Sequence, residues 1–233
     1  MYLDFKYPYS LKDGQVSPDG TIKCEYAGYG FVKVDKITVP KNGRDGSCLH
    51  FKPQVNNSFT SACLVSVQKD FGDLDAEFYM RTVEQTKNSP ENWETGWFMW
   101  GYTDNTHHYY CVLKKDGNIE VGKKDYVKVG TTQIKTPDDK IYTVPQDQQV
   151  FLSTSAKIDF VLQRWYKIRL VVKGINIKIY VDGVLKVDIN DDGKTGSWLG
   201  QPITFQRSSQ MSRGKICFYC EDSYVQVDNL KII

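Results

Sequence analysis

The stretch from Asn92 to Asp125, NWETGWFMWGYTDNTHHYYCVLKKDGNIEVGKKD, concentrates the side chains that could do chemistry. It contains three of the five Trp residues, and its His107-His108 pair is followed directly by two Tyr residues. Aromatic rings on a strand form either a wall of the hydrophobic core or a platform on which a sugar ring stacks. The stretch therefore predicts an aromatic sheet, which serves either as a wall of the core or as a carbohydrate-binding platform.

Seven side chains are candidates for a sugar-binding groove, because they combine rings with charged and hydrogen-bonding groups. Three of them alternate along one strand face and predict the floor of the groove. The full set is Glu77, Tyr79, Arg81, Trp93, Trp100, His107 and Lys123. Trp93 and Trp198 lie in polar segments, which predicts that their rings are exposed.

Other kinds of site are disfavoured by residue type and spacing. The adjacent His107 and His108 would face opposite ways in a strand, so they are a poor chelating pair. No Ser lies in a nucleophile-elbow context, and no glycine-rich phosphate loop is present. The formal net charge of +2 lacks the basic character that indicates nucleic-acid binding. No apolar run reaches the length of a membrane span.

The six Cys residues are predicted to be free and mostly buried thiols. Four of them lie in apolar strand-like runs, where Cys behaves as a small hydrophobe; these are Cys63, Cys111, Cys217 and Cys220. Cys217 and Cys220 are three positions apart, so they face opposite sides of one strand and cannot bridge each other within it. Free thiols favour a reducing environment. The N-terminal residues do not have the pattern of a signal peptide.

Alternation of apolar and polar residues with period two predicts an all-β fold. The periodic segments are short and are flanked by turn residues such as Asp116-Gly117, a strong hairpin signal. About thirteen to fifteen strands predict a two-sheet antiparallel β-sandwich, because one twisted sheet of that size would curl or split. We expect a single domain over residues 1–233, since no linker or repeat divides the chain.

The strand that begins near Gly96 carries rings on both faces. Alternation places Trp97 on one face with Met99, and Phe98, Trp100 and Tyr102 on the other. Trp165 is predicted to lie in the core.

Three segments of the sequence match, in the same order, three motifs of one protein superfamily. They are GWFMWGYTDNTHHYYCVLKKDGNIEVGKKD, WYKIRLVVKGINIKIYVDGVLKVDINDD and GKICFYCEDSYVQVDNLKI. Together they resemble the concanavalin A-like lectin/glucanase superfamily, which includes laminin-G-like and family-16-glycanase-like jelly rolls. The resemblance covers about residues 60–233 and implies a concanavalin A-like jelly roll.

The resemblance implies a non-catalytic carbohydrate-binding or surface-adhesion module, a lectin whose partner is a glycan. It also implies a structural calcium ion held by Asp228, with Asp4 and Glu25 as further ligands. Calcium takes six to eight oxygen ligands, backbone carbonyls included. The alternative for Asp228 is that it caps its strand or pairs with a Lys.

The superfamily also hosts enzymes, so catalysis on a polysaccharide is the first alternative function. The E-x-D-x-x-E strand of family-16 glucanases is not matched, and Asp75 and Glu77 are the nearest carboxylates that share a strand face. Jelly-roll polysaccharide lyases instead use Arg, Gln, His and Tyr, with a Tyr or a His as the base. Such a set could come from Arg81 and Gln85, from His107 or His108, and from Lys123 with Tyr126.

The second alternative is a structural component of a surface layer or a virion. The binding and assembly roles favour an extracellular or particle-surface location.

Overall fold

The computed structural model describes residues 1–3, 5, 7–37, 46–124, 131–135, 141–145, 149–193, 195–198, 201–204 and 213–233. All regular secondary structure in these residues is β-strand, and every strand pairing is antiparallel. The described part of the chain contains no helix that is long and apolar enough to cross a bilayer.

Two nine-stranded sheets form the sandwich. In spatial order the first sheet contains β16 (Val184–Asn190), β15 (Asn176–Val181), β14 (Tyr166–Lys173), β7 (Leu74–Gln85), β20 (Ser223–Ile232), β5 (Ser47–Lys52), β4 (Phe31–Lys36) and β2 (Tyr9–Leu11), and β1 (Tyr2–Leu3) pairs with β20. The second sheet contains β18 (Gln201–Thr204), β17 (Thr195–Trp198), β13 (Gln149–Lys157), β10 (Asn118–Lys124), β9 (His107–Leu113), β8 (Gly96–Asp104), β19 (Gly214–Glu221), β6 (Ala62–Phe71) and β3 (Ile22–Tyr26). A separate hairpin joins β11 (Thr131–Lys135) to β12 (Ile141–Pro145). The predicted all-β two-sheet sandwich is confirmed.

The main core lies between the two sheets and is built from alternate residues of their strands. Phe78 of β7 is fully buried and packs edge to face against Phe98 and Phe218 of the second sheet, at centroid distances of 5.2 and 5.1 Å. Full burial of one such ring contributes about 1.5–3 kcal/mol. The period-two alternation of β7 therefore sets which of its residues hold the sandwich together and which face outward.

The cysteines follow the prediction made from their sequence context. All six are free and buried. Cys220 joins the core between the sheets, whereas Cys217 lies in a second cluster on the outer face of the second sheet. Their opposite orientation on β19 is thus confirmed.

Strand β8 departs from simple alternation near its end. Phe98 and Trp100 face the core, but Tyr102 lies in the outer cluster with Trp97, so its predicted placement beside Trp100 is wrong. The cause is a bulge: the register shifts between Trp100 and Asp104, and Gly101 takes a positive φ of 59°. A bulge adds one residue to a strand and so reverses the side chains that follow it.

A buried ion pair joins the two sheets. Lys123 of β10 points into the core, where its Nζ lies 2.6 Å from a carboxylate oxygen of Asp191, and both side chains are almost fully buried. Asp191 follows β16 of the first sheet and donates its backbone N–H to the carbonyl of Ile175. The Tyr109 hydroxyl donates to the same carboxylate at 2.6 Å. This contact fixes one end of the sandwich.

We expect the substitution Lys123→Met to lower the free energy of unfolding by about 3–5 kcal/mol, because it removes one partner of a buried ion pair. Urea denaturation followed by Trp fluorescence measures this change. Lys178→Met is the matched control, since Lys178 forms an exposed pair with Asp188, and such pairs contribute little. Equal effects of the two substitutions would contradict a tethering role for Lys123.

Candidate functional site

The structure does not bring the seven predicted groove residues together. Glu77, Tyr79 and Arg81 alternate as predicted, but on the outer face of the first sheet. Glu77 pairs there with Lys167 at 2.9 Å. Arg81 is only 3% exposed and lies 4.7 Å from the ring centroid of Trp165. Trp165 is buried as predicted, but it packs with Ile37 and Cys48 on this outer face and not between the sheets.

The other four predicted residues occupy three further places. Trp100 and Lys123 point into the space between the sheets, which explains why neither reaches a surface groove. His107 lies at the tip of the β8–β9 hairpin and pairs with Asp104 at 3.0 Å. Trp93 lies at the edge of the outer face of the second sheet and is 40% exposed, as predicted. The Trp198 side chain lies outside the described residues.

The residues predicted to hold calcium do not form one site in the described structure. Asp228 alternates with core residues of β20 and faces outward from the first sheet. Glu25 faces outward from the second sheet, where it accepts hydrogen bonds from Lys23 at 2.5 Å and Ser66 at 2.7 Å. Asp4 lies outside the described residues. Because Asp228 and Glu25 lie on opposite surfaces of the sandwich, they cannot share one ion, and calcium binding stays a prediction.

A groove crosses the outer face of the second sheet. It has two lobes with volumes of about 370 and 200 Å³, which share Trp97, Gln149 and Glu221. The first lobe is completed by Trp93, Lys114, Glu120 and Phe151. The second lobe is completed by Tyr26, Met99, Asn105, His108, Tyr110, Lys124 and Tyr219.

The floor of the groove is aromatic. Trp97 lies next to Tyr110, with centroids 5.1 Å apart, and meets Tyr219 edge to face at 5.5 Å. Strand pairing places these rings side by side, because Tyr219 of β19 is the register partner of Trp97 of β8. The indole N–H of Trp97 donates to the Trp93 carbonyl at 2.8 Å. This bond ties the exposed Trp93 at the rim to the floor.

Tyr110 is held in place by its neighbours on β10 and β13. Gly122 provides the space, since a Cβ there would lie within 2.3 Å of the Tyr110 hydroxyl oxygen. That hydroxyl accepts a hydrogen bond from Gln149 at 2.7 Å and donates to Glu120 at 3.3 Å. Burial raises the pKa of Tyr110 well above its ordinary value. The phenol therefore stays protonated and orients Gln149 and Glu120 in the groove.

Two carboxylates line the first lobe in different environments. Glu120 accepts a hydrogen bond from the Lys114 side chain at 2.8 Å and forms an ion pair with it. Glu221 accepts the Tyr219 hydroxyl at 2.6 Å. Burial raises the pKa of Glu221 and outweighs the lowering effect of that bond. A carboxyl of raised pKa, such as Glu221, can act as a general acid, and an ion-paired carboxylate, such as Glu120, can act as a general base.

The second lobe contains a neutral histidine. Burial lowers the pKa of His108 to about 4, and its Nδ1 lies 3.1 Å from the Asp104 carbonyl oxygen. Lys124 is directly opposite His108 in the strand register. The lobe thus offers one neutral imidazole and one ammonium side by side.

Sequence reasoning missed most of this groove. Its central residues are Trp97, Tyr110, Glu120, Gln149, Tyr219 and Glu221. A signal was present at Glu120, a charged residue that interrupts the apolar run Ile119–Val121 and so marks the outward face of β10. Alternation then assigns Gly122 and Lys124 to that face and Lys123 to the core.

Comparison with protein families gives one match. The model described as a 3-keto-alpha-glucoside-1,2-lyase-like domain matches residues 35–233. None of the curated proteins matches the sequence.

Several solved structures are similar to this one. A carbohydrate-binding module, CBM66 from Bacillus subtilis, has a TM-score of 0.54 at 10% identity, over 95% of this chain and 98% of that chain. A Bacillus subtilis protein of unknown function with a galectin-like fold has a TM-score of 0.47 at 10% identity, over 100% and 97%. A putative glycosyl hydrolase from Parabacteroides distasonis has a TM-score of 0.45 at 13% identity, over 80% and 86%. The likeness to CBM66 shows the fold. Together with the family match, it confirms the predicted concanavalin A-like jelly roll.

We expect Glu221→Gln to increase the free energy of unfolding at pH 7. The pKa of Glu221 in the folded protein lies above its ordinary value of 4.5. The fold therefore loses stability as the pH rises above that ordinary value, and the loss is complete above the folded pKa. The gain should shrink as the pH falls and vanish below about 4, where the carboxyl is protonated in both states. Urea denaturation from pH 4 to 8 measures it. Glu91→Gln, at an exposed position, is the control, and a gain independent of pH would contradict the raised pKa.

Proposed function

Because the chain belongs to the family of 3-keto-alpha-glucoside-1,2-lyase-like domains, we propose that it binds a carbohydrate in the groove on the outer face of the second sheet. The observation that carries this proposal is the aromatic floor of Trp97, Tyr110 and Tyr219, bordered by carboxylates and an amide. The family description and the fold shared with a carbohydrate-binding module support the same class of ligand.

The chemistry of the groove suits a sugar ring. A pyranose has apolar C–H faces that pack on aromatic rings and hydroxyl edges that need both donors and acceptors. Glu120 and Glu221 supply acceptors, and Lys114 and the Gln149 amide supply donors within the same lobe. Trp93 adds an exposed ring at the rim. These groups are held by hydrogen bonds to one another, so little side-chain freedom is lost when a ligand binds.

A glycan array tests this function with the wild type and two variants. We expect Trp93→Ala to weaken binding about tenfold, equivalent to ~1.4 kcal/mol, because it removes the exposed ring at the rim. Tyr29→Ala removes an even more exposed ring in the turn between β3 and β4 and should leave binding unchanged. An array without any bound glycan would overturn the proposal.

Catalysis is the second candidate function, and the two carboxyl groups of the first lobe favour it. Glu221, with its raised pKa, is suited to protonate the oxygen of a leaving sugar. Glu120, paired with Lys114, is suited to take a proton from the water that attacks the anomeric carbon. In that reaction the glycosidic C–O bond breaks and the leaving oxygen takes the proton of Glu221. Water gives its hydroxyl to the anomeric carbon and its other proton to Glu120. The lyase set predicted around Arg81 lacks such support, since Arg81 lies on the other sheet.

Release of reducing ends from the glycans that bind on the array separates the two functions. If the groove is catalytic, Glu221→Gln should lower the rate by about 10²–10⁴-fold and retain binding, because Gln keeps the shape of the side chain. A wild-type protein that binds glycans and releases no reducing ends would restrict the function to binding.

A further inference from the structure

His108 and Lys124 form a pair in the second lobe of the groove. They are register partners on β9 and β10, and both line the lobe together with Asn105 and Tyr26. In the antiparallel pair their side chains stand beside each other on the same face. A ligand in the lobe therefore meets both of them at once.

The hydrogen bond of His108 fixes which ring nitrogen carries the proton. Nδ1 lies 3.1 Å from the Asp104 carbonyl oxygen, and a carbonyl oxygen can only accept. Nδ1 must then be the protonated nitrogen of the neutral ring, which leaves Nε2 with a free lone pair. Nε2 makes no hydrogen bond to any residue in the described ranges. The low pKa of His108, about 4, keeps the ring in this state at pH 7.

Lys124 supplies the opposite capacity. An ammonium group donates hydrogen bonds and cannot accept them. Within the part of the chain that the structure describes, the Lys124 side chain makes no hydrogen bond or ion pair. Glu221 also lines this lobe, and the charge of Lys124 offsets part of the rise that burial causes in the pKa of Glu221. The lobe thus places an acceptor on β9 beside a donor on β10.

We propose that His108 and Lys124 select a sugar hydroxyl group, which donates to Nε2 of His108 and accepts from Nζ of Lys124. This inference rests on the proposed carbohydrate function and assigns a specificity role to two residues of that groove. A hydroxyl satisfies both groups, because it is donor and acceptor in one atom. A carboxylate or sulfate would satisfy Lys124 alone and would place its oxygens against the lone pair of His108 and the carboxyl of Glu221.

The tautomer can be tested without any ligand. Long-range ¹H–¹⁵N correlation spectra of the ¹⁵N-histidine-labelled chain at pH 7 report which ring nitrogen is protonated. With three His residues in the sequence, the His108→Asn spectrum assigns the signal. The expected result is a neutral His108 ring with the proton on Nδ1. A proton on Nε2, or a charged ring, would overturn the proposal.

Selectivity is tested by calorimetric titration with malto-, cello- and laminari-trisaccharides and with the same trisaccharides oxidised to uronic acids at C6. We expect a neutral trisaccharide to bind at least tenfold more tightly than its uronic acid counterpart. His108→Phe and Lys124→Met should each weaken that binding about tenfold. The double variant should be no weaker than either single one, because all three lose the same bridging hydroxyl. His107→Phe, at the hairpin tip, is the matched control.

The outcomes distinguish this proposal from the broader function. Additive losses in the double variant, or equal binding of the uronic acid forms, would overturn the hydroxyl-selecting pair and leave carbohydrate binding in place. Absence of binding by any trisaccharide or array glycan would overturn both. Thermal unfolding of each variant establishes that the losses do not arise from misfolding.

Discussion

Strand β8 buries large side chains on both of its faces, and the second sheet is arranged around that constraint. Phe98 and Trp100 fill the space between the sheets, and Trp97 and Met99 form a second apolar cluster on the outside. An antiparallel sheet usually has one solvated face, so these outward rings need cover. They obtain it from neighbouring rings and from the polar rim of the groove. The groove is thus the part of this outer apolar cluster that neighbouring side chains do not fully cover.

The polar groups of the rim are fixed by one another. The Tyr110 hydroxyl links Gln149 to Glu120, and Lys114 completes that chain. The buried Tyr110 hydroxyl thus has both a donor and an acceptor partner, as buried polar groups in folded proteins usually do. A preformed arrangement of this kind loses less entropy when it binds a ligand than a set of mobile side chains would. The same rigidity gives Glu120 and Glu221 distinct environments within one lobe.

The sequence predicted the architecture better than the site. Period-two alternation and hairpin turns were enough for the sandwich, and the positions of Cys217 and Cys220 followed from spacing alone. The groove was harder to predict, because alternation says which residues share a face and not which face meets the other sheet. For that reason the sequence predicts Trp100 and Lys123 in a surface groove, whereas both lie between the sheets. The bulge at Gly101 also reversed Tyr102, and a glycine with positive φ has no distinctive sequence neighbours.

Lys123 and Lys124 are chemically identical neighbours with opposite surroundings, one in the inter-sheet ion pair with Asp191 and the other in the groove. Their roles are set only by the parity of their positions along β10. A single-residue insertion in the turn between β9 and β10 that shifts the register of β10 by one would exchange those positions, burying Glu120 and Lys124 and turning Ile119 and Val121 outward. A two-residue insertion would preserve both faces. The length of this turn, which also carries Lys114 of the first lobe, is therefore constrained in steps of two.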